Sequence, residues 1–176
     1  MGPERVAQMI AGTDDGFLPT MVDSVEQLSS QCRFEAAAAR RDEVAMLIAA
    51  LHRSQRLAAL AAVDQLVAAR PDGNGGWELA VVRYGRLASA GTAVRGLHPM
   101  PVVDALVASA ETVLPGPGPL RGAPAEEVAL VASWLKQPGT RLVQTRASYA
   151  EPAWGAAGWA AWAARANAAG AGARAW

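Results

Sequence analysis

Hydrolytic chemistry needs carboxylates, histidines or a nucleophile gathered at one point, and few positions in this 176-residue chain could supply that. Glu126 and Glu127 are neighbours in a helical first turn, and only Glu151 follows them. Asp14 and Asp15 lie in a turn with no histidine nearby. Asp104 and Glu111 share one helical face without a third carboxylate in the same element. A two-metal hydrolase needs several carboxylates converging on one cleft, so capping or solvation explains each group better. His52 has no carboxylate three or four residues on, His98 precedes Pro99, and neither shows metal-ligand spacing. Cys32 has no base partner nearby and continues the apolar phase of Val25 and Leu28, which predicts a small core filler. "DGNGGW" has glycines but no lysine or helix start where a phosphate loop wants them. The expectation is no catalytic residue, no metal and no cofactor: not an enzyme.

The elements that would position any site follow from periodicity. "PERVAQMIAG" predicts a short helix over residues 3–12, and "TDDG" a turn. Leu18, Met21, Val22, Val25 and Leu28 mark one helical face. After a break at "SSQCRF" the stripe restarts at Phe34 and runs through Ala37, Ala38, Arg41, Val44, Leu47, Ile48 and Leu51. Two stripes with a short break predict an antiparallel helical hairpin over about residues 18–62. "QLVAAR", "WELAVVR" and "RLASAGTA" are short, rich in Val and Leu, and separated by "PDGNGG" and "YG", the pattern of an antiparallel meander. "PMPVVDALVASAETVL" and "AEEVALVASWLKQ" predict helices on either side of the breaker-rich "PGPGPLRGAP", and "RLVQT" a final strand. The fold class expected is α+β, with an N-terminal helical hairpin and a small domain holding a three- to four-stranded, mainly antiparallel sheet and two helices. Its divisions fall at residues 1–62, 63–146 and 147–176. The last is a tail rich in Ala, Gly and Trp whose glycines weaken any helix, part of it expected to lack fixed structure.

Sixteen basic residues balance sixteen acidic ones, so no long-range field pulls the chain toward nucleic acid or acidic lipid. One cysteine excludes an internal disulfide and fits a reducing cytoplasm. No apolar run follows a basic N-terminal stretch, and "PAWGAAGWAAWAA" falls short of the roughly 20 residues that a membrane span needs. The expected location is the cytoplasm, without a membrane partner. Arg40, Arg53 and Arg56 make the second hairpin helix locally basic, and Arg165 lies among tryptophans. Such a mixture can contact single-stranded nucleic acid, so DNA is a second candidate partner.

"FEAAAARRD" resembles the core of the UVR motif of bacterial UvrB and UvrC, matching at Phe34, Glu35, Ala37, Ala38, Arg41 and Asp42. "VVRYGRLASAG" is similar to the strand pair that follows this motif in UvrC, with Arg83, Gly85 and Leu87 at its turn. "TVLPGPGPL", "VASWL" and "RLVQT" resemble the region before UvrC's second nuclease domain. The chain therefore resembles the C-terminal part of proteins joining a DEDDh exonuclease to a GIY-YIG, UvrC-like module, with the catalytic domains absent. The resemblance implies a non-catalytic connector in nucleotide excision repair that docks through its UVR hairpin onto UvrB or a similar UVR partner. Phe34, Glu35, Ala37, Ala38, Arg41 and Asp42 would form the contact. Phe34 would plug the turn end of the hairpin, and Arg41 and Asp42 would pair across helices. The alternatives are direct single-strand binding and self-association.

Overall fold

The computed structural model describes residues 4, 8–10, 16–153 and 155–173. In chain order the elements are helices α1 (Phe17–Ser30) and α2 (Phe34–Ala61), strands β1 (Leu66–Pro71), β2 (Trp77–Arg83) and β3 (Arg86–Ala93), helices α3 (Pro99–Ser109) and α4 (Ala125–Leu135), strand β4 (Arg141–Thr145), and helix α5 (Ala160–Ala173), preceded by a 3₁₀ turn at Gly155–Trp159. The helix expected over residues 3–12 and the turn after it fall mostly outside the described residues; residues 8–10 are helical. Two compact units form: Met1–Arg56 with Pro152–Trp176, and Leu57–Glu151.

In the first unit, Leu18 and Val22 of α1 are buried in one cluster with Val44, Ala45, Ile48 and Leu51 of α2. Between the two helices, Arg33 N–H donates to Leu28 O at 3.0 Å and Cys32 N–H to Ser29 O at 2.9 Å. Cys32 takes φ +57°, the left-handed residue that this two-bond helix ending requires. Its side chain is exposed. The apolar spacing that predicted a core filler fails because the chain leaves the helix one residue earlier. The terminal alanines are not a loose appendage either. Ala156, Ala163 and Ala166 are buried in the same cluster, with Trp159 and Trp162 packed against it. Burial there overrides the weak intrinsic helix propensity of a glycine-bearing segment.

The second unit is built on a four-stranded antiparallel sheet in the order β3-β2-β1-β4. Successive side chains point to opposite faces, and both faces are apolar. Leu66, Ala68 and Val82 pack with Leu60, Val63, Val128 and Val131 on one side. Val67, Ala69, Leu79 and Val81 pack with Val103 of α3 on the other. The β2–β3 hairpin closes through Tyr84 and Gly85, at φ +49° and +77°, the left-handed pair that a two-residue loop prefers. At the β1–β2 turn, Asp72 Oδ1 accepts from the N–H groups of Asn74 and Gly76, both at 2.8 Å. "DGNGG" is thus a self-closed turn. The α+β class and the antiparallel sheet match the reading of the sequence. No helix among the described residues is long and apolar enough to cross a membrane.

Candidate functional site

In the second unit, α4 covers only part of its sheet face, and beside it lies a groove of about 630 Å³. Pairing explains why it exists. Ala80 of β2 lies opposite Ala90 of β3, and Ala68 of β1 lies opposite Ala80. Ala80 and Ala90 line the groove, small side chains where larger ones would have filled the space. Leu87 and Leu130 are among its lining residues at 47% and 72% exposure, which leaves apolar surface in water beside it.

At one end of the groove sit Arg70, Glu78 and Trp134. Arg70 Nε donates to Glu78 Oε2 at 3.0 Å, and its guanidinium carbon lies 5.3 Å from the centre of the Trp134 ring. Ion pairing and stacking both fix the guanidinium. The arrangement can bind an apolar group, with a neutralised charge pair at its edge. Glu78 is the one carboxylate among the lining residues. Among the described residues no group of three or more His, Cys, Asp and Glu could hold a metal ion.

The other carboxylates have structural partners. Glu127 accepts from Arg86 Nε at 3.2 Å and from Leu87 N–H at 3.3 Å, tying α4 to the β2–β3 hairpin. Lys136 Nζ lies 3.3 Å from Glu151. His98 caps α3, its Nδ1 accepting from Met100 N–H at 3.4 Å.

The residues expected to dock a partner separate in the structure. Phe34 is 66% exposed at the start of α2, so it does not plug the hairpin turn. Glu35 is exposed as well, whereas Ala37 is buried and Ala38 half-buried. Arg41 donates through Nε and Nη2 to its neighbour Asp42, at 2.9 and 2.7 Å. Arg40 makes a bond from α2 to α1: its Nε donates to Ser24 Oγ at 3.1 Å while its Nη1 bonds Glu43. Among the expected nucleic-acid contacts, Arg40 is therefore spent within the unit and Arg56 is half-buried, while Arg53 and Arg165 are exposed.

No protein-family model matches the chain, and no solved structure matches it. The chain is 49% identical over 170 residues to the "Putative bifunctional exonuclease/endonuclease protein MT2247" of Mycobacterium tuberculosis (strain CDC 1551 / Oshkosh). The match covers 94% of this chain and 26% of the relative, so the chain spans about a quarter of that protein's length.

These findings overturn the resemblance to UvrC and the UVR motif. No family model supports it, and the relative is named as an exonuclease/endonuclease. The connector docking onto UvrB and the role in nucleotide excision repair fall with it. A nine-residue motif of common helix-forming residues fits many alanine-rich helices. The expectation of a non-enzyme is corrected by the same comparison, because nearly all of this chain aligns with a protein named as a nuclease.

Proposed function

We propose that the chain serves in nucleic-acid cleavage of the exonuclease or endonuclease kind. The observation that carries this reading is the 49% identity across 94% of the chain. DNA is the partner we assign, with Arg53 and Arg165 as the exposed cations available to its phosphates. The single free thiol favours a reducing cytoplasm as the setting.

Two measurements test it. The chain, supplied with magnesium or manganese, is incubated with end-labelled single-stranded and duplex DNA. Separately, the aligned segment is deleted from the relative and its cleavage of the same substrates is followed. Cleavage by the chain, or loss of a cleavage activity on deletion, is the expected result. An inert chain together with an unaffected deletion protein would overturn the proposal.

A further inference from the structure

We propose that the end of the sheet around Trp77 is a contact for single-stranded nucleic acid, with Trp77 stacking a base and Arg95 and Arg141 holding the flanking phosphates. This inference rests on the nucleic-acid reading above and deepens it by assigning the strand a surface on the second unit. Position carries it first. In the strand order β3-β2-β1-β4, Trp77 stands in β2, opposite Ala93 of β3. Arg141 comes from the outer strand β4, and its guanidinium carbon lies 5.8 Å from the centre of the Trp77 ring. Arg95 follows β3 on the other side, so close to Gly75 that a Cβ there would meet its Cδ at 3.1 Å. One aromatic ring is thus flanked by cations from opposite sides of the sheet. Trp77 is half-buried and both arginines are exposed, so ring and charges meet solvent together.

Charge carries it second. In the same unit Arg70 and Arg86 are held by Glu78 and Glu127, and Arg83 by Gln65 and the carbonyls at the end of α3. Among the described residues, Arg95 and Arg141 form no ion pair. Both lie in stretches without an acid, residues 79–103 and 137–150. The two acids beside Trp77 in the hairpin are engaged, Glu78 with Arg70 and Asp72 with the N–H groups of its own turn. Unneutralised cations suit the phosphates of a polyanion. An aromatic face between them stacks bases, and bases offer their faces where they are unpaired, which selects a single strand over a duplex.

The test is fluorescence anisotropy of a labelled oligothymidylate with the full chain at several salt concentrations, in EDTA so that cleavage does not enter. Wild type is expected to bind the single strand more tightly than a duplex of the same length, with affinity falling as salt rises. Arg95→Gln and Arg141→Gln should each lower the slope of log affinity against log salt by about 0.7, the value of one phosphate contact on a single strand. Trp77→Leu should weaken binding at least about fivefold and leave that slope unchanged. Trp77→Phe, which keeps a ring, should bind within about twofold of wild type. Arg121→Gln, exposed in the loop between α3 and α4, should change nothing. A wild type without affinity for the oligonucleotide overturns the inference. So does a preference for duplex, or a set of Arg95, Arg141 and Trp77 variants with wild-type affinity and slope. Polyglutamate displacing the label as well as unlabelled oligonucleotide does would give the surface to an acidic protein and overturn it too. DNA cleavage by a chain whose binding ignores these variants would leave the nuclease reading standing alone. Variant-sensitive binding without cleavage would leave only this contact.

Discussion

Each unit buries one glutamine, and the two use it for different ends. In the first unit Gln55 is 4% exposed. Its Nε2 donates to Met9 O at 3.0 Å, and its Oε1 accepts from Ala156 N–H at 3.2 Å. One side chain thus ties segments near the two ends of the sequence to the C-terminal half of α2. In the second unit Gln65, also 4% exposed, accepts from Arg83 Nε at 2.9 Å. Arg83 then donates its other nitrogens to the carbonyls of Val107, Ala110 and Glu111 at the end of α3. There the glutamine aims a cation at a helix C-terminus, where positive charge is favoured. The difference follows from what surrounds each residue. Leu18, Val44 and Ile48 are fully buried in the first unit beside several alanines, whereas the second buries leucines and valines on both faces of a sheet. A helical unit filled with alanine has little apolar area to hold its ends, so a polar tie matters more there.

Perturbing one unit at a time sharpens the contrast. Leu79→Ala removes a fully buried side chain from the sheet and should cost about 3–4 kcal/mol. Hydrogen exchange should show the loss at β1–β3 amides and spare α1. Equal loss in both units would show that they unfold together and erase the distinction. Gln55→Leu keeps the bulk but strands a buried carbonyl and a buried N–H, which should cost about 2 kcal/mol, with exchange accelerating at Ala156 first. Denaturant titration reads the total, and a neutral outcome would mean that packing alone holds the first unit. Gly85→Ala places a methyl group 3.1 Å from Val128 and 3.3 Å from Ala61 at positive φ, for about 1–2 kcal/mol of destabilisation confined to the second unit. Cys32→Gly relieves a left-handed non-glycine residue and should raise the stability of the first unit by about 1 kcal/mol. A thermal melt would detect it.

Much of the fold was legible because punctuation marks it. Pro99, the "YG" pair and the "PDGNGG" run delimit elements that the structure reproduces within a few residues. What was not legible arises between distant segments. The pairing of β4 with β1 joins Leu66 to Thr145, and no local pattern announces it. The burial of Ala163 and Ala166 depends on a cluster built by α1 and α2, so propensity alone undersold that helix. The groove needs Ala80 and Ala90 opposite one another and a helix that stops short of covering them. Alternation in β2 and β3 hinted at the facing alanines but not at the gap. The similarity to a protein named as an exonuclease/endonuclease had no signature in catalytic spacing, since Asp72, Glu78 and Glu127 are engaged in a turn and in ion pairs.

The exposed thiol in the bend between α1 and α2 has a practical consequence. With one cysteine in the chain, a maleimide dye or spin label would attach at a single defined place. Its distance to a second probe, introduced by one substitution, could report motion of the helix pair. The same thiol in air-oxidised solution can link two chains covalently through Cys32. A species of doubled mass that vanishes with reductant would then be a product of handling.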